Sequence, residues 1–347
     1  MSDEAMKKVV IALDGMGGDH APKSVMLGAD IAHKKYPEVR FLIFGDEAVL
    51  KPYLDEYPSL KSVVEIIHTS NKVASEDKPA TALRNSKDSS MRLAIEAVKD
   101  GNAHAIVSSG NTGALMAIAK IVLRTLPEID RPAITCLMPN RQGQSVMLDV
   151  GANAECTAEN LFQFAIMGNA FAKVVLKLVS PKIGLLNIGS EEVKGNDTVK
   201  AAAVKIRESK VPLNFYGSIE GNDIAEGIVD VIVTDGFSGN ISIKTAEGTV
   251  SIYKSFLKQA FGSNIIAKIG YLLARNSFKK LFGRLDPRLY NGAMFVGLNG
   301  IVVKSHGSSD EIGFANAVSV AIELASHNIN EKIADEINSY QEEVAAA

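Results

Sequence analysis

Along nearly the whole chain, short apolar runs alternate with longer segments whose apolar positions recur every three to four residues. The runs at 9–13, 39–44, 63–68, 103–107, 183–188, 211–215 and 229–233 are rich in Val, Ile and Phe and predict buried strands. Residues 22–36, 89–99, 114–126, 157–175 and a segment from Asp197 onward carry the helical period. Residues 133–138 and 145–148, split by a polar turn, predict a hairpin. An apolar stretch at 293–303, broken by Gly297, Asn299 and Gly300, precedes a last helix at 312–325. Residues 71–88, charged and centred on Pro79, predict a long loop, and 217–223 a second one. This alternation predicts an α/β fold: a single domain over 7–330, a polar leader at 1–6 and a polar C-terminal tail at 331–347.

Polar residues concentrate where the strands stop. The run at 183–188 ends at Gly189, in a turn that holds Ser190, Lys194 and Asn196 before the next helix. A glycine for close approach, hydroxyl and amide donors, one cation and the free N–H groups of a helix start together suit a phosphate or carboxylate. For one such loop a solvated connection is the plain alternative. Repetition tells against it. The first strand ends in Asp14-Gly15-Met16-Gly17-Gly18-Asp19-His20, and residues 103–107 end in Ser108-Ser109-Gly110-Asn111-Thr112-Gly113. The hairpin delivers Asp149-Val150-Gly151-Ala152-Asn153, and residues 229–233 end in Asp235-Gly236-Phe237-Ser238-Gly239-Asn240. The apolar stretch at 293–303 runs into Lys304-Ser305-His306-Gly307-Ser308-Ser309-Asp310. In a largely parallel sheet these loops would share one edge and converge on a crevice.

Composition narrows the chemistry. With 347 residues, 46% hydrophobic and 22% charged, the chain can bury a large core. A net charge of -3 lacks the basic surplus a general nucleic-acid binder needs. Cys136 and Cys156 have neither metal-ligand nor disulfide-framework spacing and predict small core residues in a reducing cytoplasm. No signal peptide is visible, and charges interrupt every apolar window before the ~20 residues a membrane span requires.

Familiar catalytic motifs are missing. The glycines at 15, 17 and 18 do not have the dinucleotide spacing, and there is no Gly-x-Ser-x-Gly elbow, no Walker Gly-Lys-Ser/Thr and no His-Glu-x-x-His. The loops therefore predict a polar site, cationic at Lys194, without a protein nucleophile beside a base, whose reaction brings its own nucleophile.

The six loops at 14–22, 108–114, 149–153, 187–196, 235–240 and 306–310, in this order, closely resemble those of the PlsX family of bacterial phosphate acyltransferases. The resemblance runs from about Val9 to Leu324. It implies transfer of a long-chain fatty acyl group from acyl carrier protein to inorganic phosphate, giving acyl phosphate for phospholipid synthesis. It further implies a three-layer αβα sandwich of the isopropylmalate/isocitrate dehydrogenase type, a homodimer and no organic cofactor. No metal site is expected.

Phosphate dianion can attack a thioester carbonyl directly once it is desolvated and aimed. Lys194 and the glycine-loop amides suit that aim, and Asn240 suits the oxyanion; the resemblance favours both residues. His20 and His306 are candidate donors to the leaving thiolate, or structural hydrogen-bonders. The remaining expected substrate contacts are Asp14, Gly15, Gly17, Gly18, Ser109, Gly110, Asn111, Thr112, Asn153, Gly189, Ser190, Asn196, Asp235, Gly236 and Gly239.

One stretch stands apart. Residues 248–285 contain no acidic residue, while Lys268, Arg275, Lys279 and Lys280 alternate with apolar positions that include Phe278, Leu281 and Phe282. The pattern predicts a basic amphipathic helical arm at 248–290, suited to an anionic membrane surface, to the acidic carrier protein or to a second subunit. A peripheral position would suit delivery of acyl phosphate to a downstream glycerol-3-phosphate acyltransferase. Two rivals remain: a short-chain phosphate acetyl- or butyryltransferase acting on coenzyme A, and a non-catalytic sensor that binds acyl carrier protein.

Overall fold

The computed structural model describes residues 9–284 and 286–346, and only the backbone of residues 280–282, 284, 287 and 339–346. The leader at 1–6, the first two residues assigned to the domain and the side chains of Lys280, Leu281 and Phe282 lie outside the described residues.

The amino-terminal half alternates strand and helix: β1 (Val10–Asp14), α1 (Lys23–Lys35), β2 (Arg40–Gly45), α2 (Glu47–Glu56), β3 (Val64–His68), α3 (Pro79–Asn85), α4 (Ser90–Lys99), β4 (Ala105–Ser108) and α5 (Thr112–Leu123). Next come the hairpin β5 (Ala133–Asn140) and β6 (Gly143–Leu148), then α6 (Ala158–Val175), β7 (Lys182–Leu186), α7 (Asp197–Glu208), β8 (Asn214–Ile219), α8 (Gly221–Glu226) and β9 (Val231–Val233). Two long helices, α9 (Gly236–Gly262) and α10 (Ile265–Arg284), lead through a 3-10 turn to β10 (Ala293–Val296), β11 (Ile301–Lys304), α11 (Glu311–Ser326) and α12 (Ile329–Ala346).

The strands form one sheet of mixed direction, in the order β3-β2-β1-β4-β11-β10-β5-β6-β9-β7-β8. Each face buries its own core. One holds Phe41, Phe164 and Phe314 under α1, α6 and α11, and the other holds Met91, Leu115 and Phe295 under α4 and α5. Alternating apolar positions feed both faces, as strands sandwiched between helices require.

Direction within the sheet decides where the loops go. From β3 to β11 neighbouring strands are parallel, but β11/β10, β10/β5 and β5/β6 are antiparallel. These three reversals leave β6, β9, β7 and β8 parallel to one another and opposite to the first group. The expectation of one shared edge is therefore corrected: the loops after β1, β4 and β11 leave one edge, and those after β6, β7 and β9 leave the other. Register keeps the two sets close. Val303, Met294, Thr135 and Leu148 pair in one line across the sheet, so β11 and β6 end at nearly the same height while pointing opposite ways.

Four other expectations change. The loop predicted at 71–88 contains α3, which starts at Pro79 and buries Ala82, because proline is pre-set for the first helical turn. Gly217, Ser218 and Ile219, placed in a loop, are the end of β8, whose exposed positions blur its pattern. The apolar stretch at 293–303 is two strands that turn at Gly297, where φ is +94°. Residues 331–346, read as a polar tail, continue α12, which inserts Ile333 and Ile337 into the core.

Candidate active site

The first edge is built around Asp14. At the end of β1 its buried carboxylate accepts hydrogen bonds from Ser90 Oγ at 2.6 Å and Ser108 Oγ at 2.7 Å. Burial raises its pKa above the ordinary carboxylate value, against the opposing pull of these two hydroxyls and of Lys304. Lys304 donates to the carbonyl oxygens of Ser109 and Ser305, and burial pushes its pKa down to about 8 although Asp14 and Asp19 oppose the shift. The glycines let three loops interlock here. A Cβ at Gly17 would lie 2.3 Å from Asp14 Oδ2, and one at Gly18 would lie 2.7 Å from Ser109 Cβ. Among the described residues Ser109 Oγ is buried without a hydrogen-bond partner.

His306 stands on the rim of this cluster. Its backbone N–H donates to Asn291 Oδ1 at 2.9 Å, while Asn291 Nδ2 donates to Ser305 Oγ, Ser309 Oγ and the Gly313 carbonyl. Its Nε2 lies 3.0 Å from Lys244 Nζ and its Nδ1 lies 3.0 Å from Ser308 Oγ. Loss of water around the ring, and then Lys244, holds its pKa below the ordinary histidine value. His20 is exposed just ahead of α1. Asn111 caps α5 through Ala114 N–H and ties down the carbonyls of Ser75 and Asp77, so its side chain organises the loop before α3.

The second edge is built around Asp149. Its buried carboxylate accepts from the backbone N–H groups of Ile134, Gly151, Ala152 and Asn153 and from Asn153 Nδ2, all at 2.7–3.1 Å. Asn153 also donates to the Pro132 carbonyl, so its amide is part of the loop scaffold. The first turn of α9 sits on this loop: a Cβ at Gly236 would lie 2.6 Å from the Asn153 carbonyl oxygen. Asp235 caps the helix through Ser238 N–H at 2.7 Å. Asn240, at the surface, donates to the Val150 carbonyl at 3.3 Å. Sequence pattern placed the start of this helix at Ile241, whereas α9 begins five residues earlier, at Gly236.

The Lys194 loop leaves the same edge, after β7. Asn187 Nδ2 braces it through the Lys194 carbonyl at 3.2 Å and Ser218 Oγ at 3.3 Å, and Asn196 caps α7 through Val199 N–H at 2.8 Å. Ser190 and Lys194 are exposed and Gly189 is buried. Among the described residues, Lys194 makes no side-chain hydrogen bond to Asn240, His20 or His306.

The two edges meet through α9. The helix starts against the Asp149 loop, and Lys244, one turn beyond Asn240 on the same face, reaches His306. Sequence reading missed Lys244, although its i+4 spacing from Asn240 was available. It also passed over Lys304 and Ser90, whose proximity to Asp14 only the tertiary structure reveals. Both cysteines are partly buried, and burial pushes each thiol up to about 12, so neither supplies a thiolate at neutral pH.

Residues 9–332 match the family model described as fatty acid synthesis protein. The chain belongs to that family. It is 57% identical over 341 residues to a phosphate acyltransferase of Rhodospirillum centenum, covering 98% of this chain and 96% of the relative. A phosphate acyltransferase of Paramagnetospirillum magneticum is 55% identical over 330 residues, covering 95% and 94%. The family read from the six loops is thereby established. Among solved structures, the EutD phosphotransacetylase of Staphylococcus aureus superposes with a TM-score of 0.57 at 18% identity, over 93% of this chain and 95% of that one. At that identity the likeness concerns the fold alone.

Proposed function

We propose that inorganic phosphate attacks the thioester of a fatty acyl group on acyl carrier protein in the cleft between the first turns of α9 and the loop after β11. The chain is a phosphate acyltransferase, as its relatives at 57% and 55% identity are named, and its products are acyl phosphate and the free carrier thiol. One observation carries the site: Asn240 and Lys244 share a face of α9, and Lys244 spans to His306 from the opposite edge of the sheet. Asn240 donates to the developing oxyanion, where such a donor contributes roughly 10²–10³ in rate. Lys194, exposed on the neighbouring loop, holds the incoming anion or the pantetheine phosphate. The residues of the first edge, around Asp14 and His306, form the opposite wall.

The test is thioester loss from palmitoyl carrier protein or acetyl-coenzyme A in the presence of phosphate, for the wild type, Lys194→Ala and Asn240→Ala. Acyl phosphate formed from the carrier substrate, and lost in both variants, supports the reading. Turnover of the coenzyme A ester alone moves the assignment to a short-chain phosphotransacylase, and no turnover of either identifies a carrier-binding sensor.

The helical arm gives the enzyme a peripheral membrane position at the cytoplasmic face, near a downstream glycerol-3-phosphate acyltransferase. Ile265, Ile266, Ile269, Leu272 and Leu273 lie exposed along one side of α10, flanked by Lys268, Arg275 and Lys279. Each cation near an anionic leaflet contributes about 1 kcal/mol. Phe278 turns the other way, its ring 4.9 Å from Phe261 and 5.6 Å from Tyr271, so the apolar stripe and not Phe278 is the inserting surface. No helix among the described residues is long and apolar enough to cross a membrane. Replacing Ile269, Leu272 and Leu273 with Ser releases the enzyme from anionic vesicles; unchanged binding refutes the arm, and a shift from dimer to monomer assigns the stripe to subunit contact. We assign the enzyme to homodimers and its fold to the isopropylmalate/isocitrate dehydrogenase type.

A further inference from the structure

The helical arm returns to the domain directly onto the His306 loop. After α10, Arg288 in the 3-10 turn Pro287–Tyr290 pairs with Asp310 at 3.0 Å, and Asp310 caps α11 through the Gly313 N–H. Asn291 follows at the foot of β10, and its side-chain amide spans the loop. Its Oδ1 accepts from the His306 backbone N–H at 2.9 Å, and its Nδ2 donates to the Gly313 carbonyl at 2.7 Å. The hydroxyls of Ser305 and Ser309, 3.1 Å apart, are left to share the second amide hydrogen. A backbone donor on one side and a backbone acceptor on the other fix which way the amide points.

Asn291 is itself held in place. Asn316 on α11 donates to the backbone carbonyls of Leu289 and Asn291, at 3.0 and 2.8 Å. At Gly292, where φ is +116°, a Cβ would lie 2.9 Å from Ala317 Cα, so the chain beside Asn291 is pressed against α11. The loop passes this order on to the imidazole. The Ser309 N–H donates to the His306 carbonyl at 3.1 Å, closing a turn, and within it the Ser308 N–H donates to His306 Nδ1 at 3.3 Å. On the far side the Gly307 carbonyl accepts from the Asp19 N–H at 2.9 Å. A ring held by its own loop backbone goes where that backbone goes.

We propose that Asn291 is a positioning residue for His306, acting through the loop backbone and not on the substrate. The inference rests on the reading that His306 faces the reacting groups. A short amide suits this place because it needs an acceptor and a donor at one reach. Aspartate would keep the acceptor for the His306 N–H but set an oxygen against the Gly313 carbonyl. Glutamine would add a methylene to a span already closed at 2.7–2.9 Å, and alanine would leave a backbone N–H and a carbonyl without these partners. Lys244 meets the same ring from the outgoing helix of the arm, so both ends of the arm close on the His306 loop.

The experiment is a double-mutant cycle of Asn291→Ala and His306→Ala in acyl phosphate formation by the full-length protein. Hydrogen exchange of the His306 backbone amide is recorded beside it for the wild type, Asn291→Ala and Asn291→Asp. We expect Asn291→Ala to lower kcat roughly 10–100-fold with KM nearly unchanged, and to lower it no further once His306 is alanine. The His306 amide should exchange slowly in the wild type, faster in Asn291→Ala and slowly again in Asn291→Asp, whose carboxylate still accepts from it. Losses that multiply across the cycle overturn the proposal, as does a wild-type His306 amide that exchanges without protection. The wild-type and Asn291→Asp amides decide the matter where the alanine variant does not fold. Full activity in His306→Ala overturns the proposal through the reading on which it rests, and the exchange rates, which need no turnover, tell that failure from a failure of the Asn291 contact.

Discussion

A Cβ on Gly239 would lie 1.9 Å from the Asp149 carbonyl oxygen, so the first turn of α9 rests on the Asp149 loop with no room for any side chain. Gly239→Ala is expected to push that turn away and to displace Asn240 with it. Activity should fall at least tenfold, because an ångström of misplacement is costly in an oriented site, at about 1–3 kcal/mol of stability. Steady-state kinetics beside thermal unfolding checks this; full activity in Gly239→Ala would refute the close seating of α9.

Asn240 lies at the surface, and among the described residues its side chain makes one long hydrogen bond, to the Val150 carbonyl. Asn240→Ala should therefore leave the unfolding midpoint nearly unchanged while lowering kcat by roughly 10²–10³. A parallel loss of stability and rate would make the residue a brace for the Asp149 loop instead.

Lys304 ties stability to alkaline pH. Its folded pKa is lowered from 10.5 to about 8, chiefly by burial. Between these values the unfolded chain keeps the proton that the folded chain has released, so this lysine makes stability rise with pH across that window. Below pH 8 both states hold the proton, and the burial penalty, on the order of 1–3 kcal/mol, applies in full. Subtracting the unfolding free energy of Lys304→Met from that of the wild type should give a difference that climbs from pH 8 to 10.5; a flat difference contradicts the burial of a charged Lys304.

With both thiols pushed up to about 12, Cys136→Ser and Cys156→Ser should keep activity within a few fold, and iodoacetamide at neutral pH should not inactivate the enzyme. Rapid, stoichiometric inactivation would point to a thiolate in the reaction.

Much of the local structure is legible in sequence because its causes are local. Asp46, Ser89, Asn196 and Asp310 cap their helices through hydrogen bonds two or three residues ahead, and the apolar runs of β1, β2 and β4 carry their own strand signal. Where the local signal is weak, the reading drifts. β8 alternates with exposed positions, α3 hides behind Pro79, and α12 is polar except for the few residues it buries.

By itself the sequence determined the succession of strands and helices, the family, and the six loops that carry the polar chemistry. Only the tertiary structure decided which loops share an edge, because strand direction follows from pairings between distant segments, and the reversals at β10 and β5 leave no mark in local periodicity. The same holds for the contacts that join the halves. Ser90 meets Asp14 across 76 residues and Lys244 meets His306 across 62, distances over which a chain has no local reason to bring two side chains together until the sheet and α9 have packed.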